Sequence, residues 1–376
     1  MSFYIKNKKY ELFISNLLVF LLTTFSVADA QDAQGGQSTG TQDSQSTGLC
    51  SSGNVFDSST YDLRLHIGAL FIVLCSSSLG AFLPVISKRS PKLKFPSHIF
   101  FACKHFGTGV IVATAFIHML PSSFEALSNE CLPEVWRNYS AWPGAIAMMS
   151  SSFIFFIEYV ALSYTQNDIH ETLPTSHKNE LDLTITNSDE SISADKDFHH
   201  SHAHAHGTLV LLTNKTQSIG IFILELGICF HSIIIGMTLS VTTGSDFISL
   251  LVALVFHQMF EGLGLGSRIA DLDFPKSSIR PWLMSLAYGA TTPFGIAIGL
   301  GVRQSYNPNS ATALIVQGIL DSISAGILLY AALVELIAND FIYDPKFRKK
   351  PTIYQASAFL LLLLGAGTMA LIGYWA

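Results

Sequence analysis

The amino-acid sequence predicts an all-α membrane protein with eight transmembrane helices. The chain of 376 residues has a mean hydropathy of +0.41, and only 13% of its residues are charged. Eight apolar runs approach or exceed the ~20 residues that a helix needs to cross the bilayer. These predicted spans, numbered 1 to 8, cover residues 62–86, 97–120, 141–165, 217–240, 247–270, 279–302, 310–338 and 352–374. Spans 4 and 5 also carry polar side chains near their centres, so we expect a functional site inside the membrane.

The N-terminal segment has the pattern of a secretory signal peptide. Three lysines between residues 6 and 9 precede an apolar stretch around 17–25, and a small-x-small cleavage site follows at 28–30. We expect residues 1–30 to be a signal peptide, with an uncleaved anchor helix as the alternative. Residues 31–61 are rich in Gln, Ser, Thr, Gly and Asp, which predicts a disordered extracytoplasmic tail.

Basic residues in the short loops predict the orientation, because cytoplasmic loops carry an excess of Lys and Arg. They cluster after spans 1, 5 and 7, as Lys88, Arg89, Lys92, Lys94, Arg268, Lys276, Arg280, Lys346, Arg348, Lys349 and Lys350. The loops on the opposite side carry few basic residues. Both termini are therefore predicted to be extracellular, in agreement with a signal peptide.

The loop 166–216 is the longest polar segment after span 1, and it separates spans 1–3 (within 62–165) from spans 4–8 (within 217–376). It is acidic in its middle and ends in FHHSHAHAHG. Its alternating histidines are His199, His200, His202, His204 and His206. Such tracts bind transition metals, which predicts a cytosolic role in metal handling. A disordered linker that binds metal incidentally is the alternative.

The five cysteines lack the spacing of a zinc finger. Cys50 and Cys131 both fall in predicted extracytoplasmic segments, where disulfides persist, and we hypothesise that they pair. Cys75, Cys103 and Cys229 lie in spans and are interpreted as small packing residues.

The polar groups in spans 4 and 5 have the chemistry of a metal site. Span 4 contains His231-Ser232, and span 5 contains HQMFEG with His257 and Glu261. An acid at this depth costs about 2.5–3.5 kcal/mol, so such groups usually have a partner or a cargo. His257 and Glu261 share a helix face, and His231 reaches a similar depth if the two helices are antiparallel. Nitrogen and oxygen ligands from two helices suit a borderline divalent cation.

Small residues near these groups predict close approach of helix backbones. They are Gly236, Gly262, Gly264 and Gly266. Isolated histidines in a helix bundle are more often packing residues, and His66, His98 and His105 are interpreted in that way.

Several motifs together resemble one known family. HSIIIG in span 4 and HQMFEG in span 5 are similar to the signature of the ZIP (Zrt-, Irt-like) metal transporters, in the branch of fungal and plant plasma-membrane zinc and iron importers. Span 2 with its outer loop (FGTGVIVATAFIHMLPSSFEALSNECL), span 6 (ATTPFGIAIG) and span 7 (QGILDSISAGILLYAALVEL) agree with the same family. The resemblance covers the chain from about residue 50 onward.

The resemblance implies a 3+2+3 bundle, in which spans 1–3 and 6–8 are inverted repeats around spans 4 and 5. It also implies inward movement of Zn²⁺, or of Fe²⁺ or a related ion, as cargo and not as a cofactor. The implied ligands are His231, His257 and Glu261, with Ser232 and Gln258 as adjacent polar positions.

Some family members bind two ions with the help of further acids in spans 4 and 6. Here those positions look like Ile235 and Thr292, which favours a single ion.

The resemblance also suggests residues along the path. His118 and Glu125 look like an outer entrance relay, and Glu225 and Glu335 are candidates for the exit. Asp321, in the outer half of span 7, is a weaker candidate. Each of the four acids could instead be a structural hydrogen-bonding group.

Two other functional classes fit the residues less well. An intramembrane metalloprotease would need HExxH, but Gln258 stands where the catalytic Glu should be and Glu261 replaces the second His. The chain is therefore not predicted to be an enzyme. A receptor or non-transporting metal sensor lacks a soluble ligand-binding domain.

The expected partners are lipid and the divalent ion, and a homodimer is possible. The formal charge of −6, without a basic field, does not suit nucleic acid. The donor set leans toward zinc but leaves iron and manganese open, and the direction of transport rests on the resemblance alone.

Overall fold

The computed structural model describes residues 61–90, 96–172, 202–304 and 306–374, with the backbone alone for 162, 164–172 and 202–217. Within these ranges the secondary structure is helical throughout, without strands. The predicted signal peptide, the predicted tail up to residue 60, Cys50, His199 and His200 lie outside the described residues. The side chains of His202, His204 and His206 also lie outside the description.

Eight helices are long and apolar enough to cross a membrane, which confirms the predicted spans. Spans 1 to 8 are Leu63–Arg89, Ser97–Leu127, Trp142–Ala161, Ser218–Val241, Gly244–Asp271, Arg280–Val302, Ala311–Tyr343 and Thr352–Ile372. The helix of span 3 continues to Thr172, and the helix of span 4 already begins at His202. Helix therefore extends into both ends of the predicted loop 166–216, because a helix can satisfy its backbone hydrogen bonds beyond the apolar run.

Local sequence determines how spans 4 and 5 are connected. Span 4 ends at Val241 and span 5 begins at Gly244, which has a φ of +69°. This left-handed conformation favours glycine, and it reverses the chain within a few residues. Spans 4 and 5 are consequently antiparallel neighbours, as the position of His231 and His257 at one depth requires.

Span 2 is interrupted by a π-helical segment, and span 7 ends in one. The segments are Thr114–Met119 in span 2 and Ala331–Tyr343 in span 7. A π-helical turn changes the direction of the following side chains and is frequent at functional sites. His118 lies in the first segment, and Glu335 and Asp340 lie in the second.

The spans pack as two groups of four helices. In the first helix group, span 1 packs on spans 5 and 6, and span 4 packs on span 6. In the second helix group, span 7 packs on spans 2 and 3, and span 8 packs on span 2. Span 2 contacts span 5, and span 7 contacts span 4, across the boundary between the groups. If spans 1, 2, 3 and 4 are exchanged with spans 6, 7, 8 and 5, respectively, the same set of contacting pairs results. The inverted repeat stays a prediction that this pairing supports.

Glycines in spans 4 and 5 allow close contact with neighbouring helices, as the sequence predicts. A Cβ on Gly264 would lie 2.8 Å from the Cα of Gly107, so spans 2 and 5 cross with their backbones in contact. A Cβ on Gly236 would overlap the backbone oxygen of Thr292 in span 6. Of the two helices that carry the polar motifs, span 5 thus packs closely on span 2, and span 4 packs closely on span 6.

Two of the three isolated histidines, His66 and His105, are buried as expected of packing residues, whereas that interpretation is wrong for the exposed His98. Both ring nitrogens of His66 lie within 2.9 Å of backbone oxygens, those of Asp62 and Thr242, and tie the start of span 1 to the connection between spans 4 and 5. His105 is buried against the rings of Phe101 and Phe341. His98 is exposed.

Candidate functional site

Three histidine rings meet at the centre of the bundle. The ring centroids of His231 and His257 are 6.0 Å apart, and His118 lies 5.4 Å from the first and 5.3 Å from the second. They come from spans 4, 5 and 2, so both helix groups contribute. Sequence reasoning assigned His118 to an outer relay with Glu125, but the structure places its ring beside the two central histidines.

Glu261 completes the central cluster from the same face of span 5. Its Oε2 lies 3.6 Å from Nε2 of His257, which is longer than a hydrogen bond. His257 and Glu261 are almost completely buried, with 1% and 0% of their surface exposed. The two side chains are four residues apart, and they therefore lie on one buried face of the helix, as the sequence predicts.

Most polar atoms of the cluster have no hydrogen-bond partner within the described residues. They are Nε2 of His231, Oγ of Ser232, both ring nitrogens of His257, Nε2 of Gln258 and both carboxylate oxygens of Glu261. Buried polar groups are nearly always paired, since an unpaired one costs about 1–3 kcal/mol. A concentration of unpaired nitrogen and oxygen donors is the arrangement expected where a guest ion supplies the missing interaction.

The donors are gathered but not closed around one point. Among the residues that the structure describes, no three His, Cys, Asp or Glu side chains already form a metal centre. Zinc requires donor atoms at about 2.0–2.2 Å. Binding one ion would therefore require rotation of these side chains or a small shift between spans.

Asp321 contacts the cluster from span 7. Its Oδ1 lies 3.2 Å from Nδ1 of His231, and its Oδ2 accepts a hydrogen bond from Ser122 at 3.1 Å. Gln317, one turn before Asp321, donates to Ser122 at 3.3 Å. Sequence reasoning had Asp321 only as a weak candidate along the path and missed Ser122 and Gln317. The four-residue spacing of Gln317 and Asp321 on one helix face was the available signal.

Tyr288 of span 6 is a second residue that sequence reasoning missed. Its fully buried hydroxyl lies 2.6 Å from the backbone oxygen of Gln258 and 2.9 Å from its Oε1. This contact holds Gln258 beside Glu261. No local pattern distinguishes Tyr288 from the other tyrosines, because its role depends on the packing of span 6 against span 5.

The remaining acids on the proposed path lie away from the histidine rings. Glu225 is buried six residues before His231, about 9 Å along the helix axis. Glu335 lies against Gly220 and accepts from Asn339 at 3.4 Å. Glu125 is exposed, and it lies near the C-terminal end of span 2. The structure therefore separates these acids from the central cluster.

A network of ion pairs joins the two helix groups at the end opposite Glu125. Arg268 donates to Asp340 and to Thr108, each at 2.6 Å. Lys104 lies 3.1 Å from Asp340 and 3.4 Å from Asp271, and Lys88 lies 2.7 Å from Asp271. We call Lys88, Lys104, Arg268, Asp271 and Asp340 the inner ion-pair network, since basic loops predict that this end is cytosolic. It links spans 1 and 5 of the first group to spans 2 and 7 of the second.

The cysteines partly test the predicted disulfide. Cys131 is disulfide-bonded. Cys50, its predicted partner, lies outside the described residues. Cys75, Cys103 and Cys229 are free thiols.

Comparison with known proteins identifies the fold and its function class. The family model described as ZIP Zinc transporter matches residues 63–373, which include all eight spans. Zinc-regulated transporter 2 of Saccharomyces cerevisiae is 35% identical, over 83% of this chain and 94% of that protein. Zinc-regulated transporter 1 of the same yeast is 37% identical, over 84% of this chain and 88% of that protein. Fe(2+) transport protein 1 of Arabidopsis thaliana is 35% identical, over 84% and 86%.

These matches, together with eight spans around a buried set of nitrogen and oxygen donors, assign the function class as transport and not catalysis. The chain belongs to the ZIP zinc transporter family.

Proposed function

We propose that this protein imports Zn²⁺ into the cytosol through a central site made by His231, His257 and Glu261, with His118 beside them. The observation that supports this site is the set of buried donors without partners on spans 4 and 5. Their concentration favours a bound ion over packing: seven such atoms lie on two adjacent spans, whereas His66 at the start of span 1 has both ring nitrogens within hydrogen-bond distance of a partner.

The chemistry of the donors favours reversible binding of one zinc ion. Imidazole nitrogens and a carboxylate bind zinc, and the absence of thiolate from this set suits an ion that must leave again. Ser232 and Gln258 supply adjacent polar atoms, both of them buried. The apolar Ile235 and the neutral Thr292 favour a single ion, since neither adds an acidic ligand.

The path follows from the orientation of the spans. The ion enters from the side of Glu125, which helps to remove its water. It then reaches the central cluster that includes His118, and it leaves past Glu225 and Glu335 on the cytosolic side. One helix group shifts against the other to change the side on which the site is open, a motion suited to inverted repeats. The boundary between the groups passes through the histidine cluster, since His118 belongs to one group and His231 and His257 belong to the other.

The surroundings of the site agree with import across the plasma membrane. Loop charges favour extracellular termini, and the names of the yeast relatives, zinc-regulated transporters, are compatible with uptake from the medium. A disulfide between Cys50 and Cys131 would join the extracellular tail to the loop after span 2. The histidine tract before span 4 would meet zinc that has already crossed.

The test is uptake of radioactive zinc by cells that lack their own zinc uptake and express the full chain. His231→Ala and Glu261→Ala should each reduce uptake to background while the amount at the cell surface stays unchanged. His98→Ala, which removes an exposed histidine outside the site, is the matched control and should transport normally. Near-normal uptake by either site variant would refute the proposed site, and export of preloaded zinc would refute the direction.

A further inference from the structure

A chain of hydrogen bonds reaches His231 from the opposite helix group. Gln317 donates to Ser122, Ser122 donates to Oδ2 of Asp321, and Oδ1 of Asp321 faces Nδ1 of His231. Asp321 is 1% exposed and His231 is 4% exposed, so water does not compete strongly for these contacts. Ser122, Gln317 and Asp321 lie on spans 2 and 7, whereas His231 lies on span 4.

The chemistry of the pair determines which ring nitrogen is free. An ionised carboxylate can only accept hydrogen bonds, so this contact pairs an ionised Asp321 with the His231 tautomer that carries its proton on Nδ1. In a neutral imidazole the lone pair then resides on Nε2. Nε2 of His231 is one of the buried atoms that has no partner within the described residues, so it is the nitrogen available to an ion.

The two carboxylates near the histidines differ in whether their oxygens already have partners. Both oxygens of Asp321 are engaged, one with Ser122 and one with His231. Both oxygens of Glu261 are buried, and neither has a hydrogen-bond partner among the residues that the structure describes. Glu261 is therefore free to bind an ion, whereas Asp321 is already committed to holding another side chain.

We propose that Asp321 is a positioning residue that fixes the tautomer and orientation of His231, and that it is not itself a ligand of the transported ion. The proposal rests on the proposed function, because it assigns His231 as a ligand. A carboxylate on the far nitrogen of a metal-binding imidazole raises the basicity of that ligand, and its loss typically lowers metal affinity or activity by about 10–100-fold.

The position of this contact couples affinity to movement. Asp321 belongs to the second helix group and His231 to the first. When the groups shift, the pair separates, His231 loses its carboxylate, and its hold on the ion weakens. The same contact thus favours capture in the arrangement described here and release after the shift.

Uptake kinetics distinguish a positioning residue from a ligand through two variants of opposite chemistry. Asp321→Asn keeps an oxygen that can accept from Nδ1 but is a poor zinc ligand. Asp321→Cys supplies a good zinc ligand but a poor acceptor. We expect the KM for zinc to rise by less than about 10-fold in Asp321→Asn and by about 10–100-fold in Asp321→Cys and Asp321→Ala, at equal surface amounts.

Ser122→Ala provides a milder variant that keeps Asp321 in place but removes the donor to its Oδ2. It should raise the KM by a few-fold with little change in maximal rate, and it serves if the Asp321 variants fail to reach the surface. Uptake near normal in Asp321→Cys, together with loss in Asp321→Asn, would overturn the proposal in favour of a direct ligand.

Nitrogen-15 NMR of the histidine rings tests the tautomer without transport. In the full chain in lipid nanodiscs without zinc, the His231 signal, assigned by its loss in His231→Gln, should report a proton on Nδ1 and none on Nε2. Asp321→Ala should move the proton toward Nε2, and an unchanged signal would overturn the proposal.

Failure of the positioning role and failure of the proposed function give different results. If His231→Ala itself transports zinc normally, the proposed function fails. If His231 is required but its tautomer does not depend on Asp321, only the positioning role fails.

Discussion

The central histidine cluster and the inner ion-pair network use polar side chains in opposite ways. At the centre, His257 and Glu261 are buried, and their ring nitrogens and carboxylate oxygens have no hydrogen-bond partner in the part of the chain that the structure describes. At the inner end, each charged member of the network faces an opposite charge, with Arg268 and Asp340 at 2.6 Å as the shortest pair. Both clusters bridge the two helix groups. The difference is that the charges of the inner end face opposite charges, whereas the buried donors of the centre lack hydrogen-bond partners within the described residues, as the proposed ion site requires.

The consequence is that the two regions should respond differently to mutation. A residue at the buried end of the network contributes to stability, because removing it leaves the facing charge buried and without its partner. His257 and Glu261 should contribute little to the stability of the ion-free protein, since the ring nitrogens and carboxylate oxygens of these two side chains have no hydrogen-bond partner within the described residues. Stability and transport can therefore be separated by measuring both for variants of each region.

The largest effect on stability is expected at the buried end of the network. Asp340→Ala removes the carboxylate that faces Arg268 and Lys104, and it should lower the free energy of unfolding by about 3–5 kcal/mol. Thermal unfolding of the purified protein in lipid measures this change. Asp273→Ala, at an exposed acid near the end of span 5, is the matched control and should leave the melting temperature unchanged. Equal melting of Asp340→Ala and the parent chain would remove the contrast between the two regions.

A smaller effect on stability, seen only when zinc is present, is expected for variants of the central cluster. Zinc at about 100 times its Kd should stabilise the parent chain by about 2.7 kcal/mol, because an ion that binds only the folded state shifts the unfolding equilibrium. Glu261→Gln should unfold like the parent chain without zinc and lose most of the stabilisation by zinc. Glu130→Gln, at an exposed acid of the outer loop, should keep it. Full zinc stabilisation of Glu261→Gln would show that the carboxylate does not bind the ion.

The smallest effect is expected at the exposed edge of the network. The pair of Lys88 and Asp271 has side chains that are 47% and 35% exposed, and exposed pairs contribute about 0–1 kcal/mol. Lys88→Ala should therefore change the free energy of unfolding by less than about 1 kcal/mol, and added salt should reduce the difference further. Comparison with Asp340→Ala in the same assay indicates how strongly burial governs the network. A loss as large as that of Asp340→Ala would mean that exposure does not weaken this pair.

The spans and the central motifs were predictable, because both depend on local patterns. Long apolar runs predicted all eight spans, and the four-residue spacing predicted that His257 and Glu261 share a face. The place of His118 was not predictable. Its ring reaches the centre from a π-helical segment, and hydropathy does not indicate where a helix changes its winding.

The contacts of Asp321 and Tyr288 were beyond sequence reasoning for a different reason. Asp321 is 90 residues from His231, and Tyr288 is 30 residues from Gln258. Which side of span 7 faces span 4, and which side of span 6 faces span 5, depends on the rotation of each helix about its axis. That rotation is set by packing, including the contact of Gly236 with Thr292, and an apolar span can be rotated without changing its hydropathy.

The sequence by itself determined that the chain has eight membrane-spanning helices and which two of them carry the buried polar motifs. The reason is that water excludes long apolar runs and that hydrocarbon penalises isolated polar groups, and both effects act on segments one at a time. Only the tertiary structure decided that three histidines meet, that Asp321 contacts one of them, and that five charged residues form one network at the inner end. These contacts join separate spans, and their geometry exists only once the helices have packed.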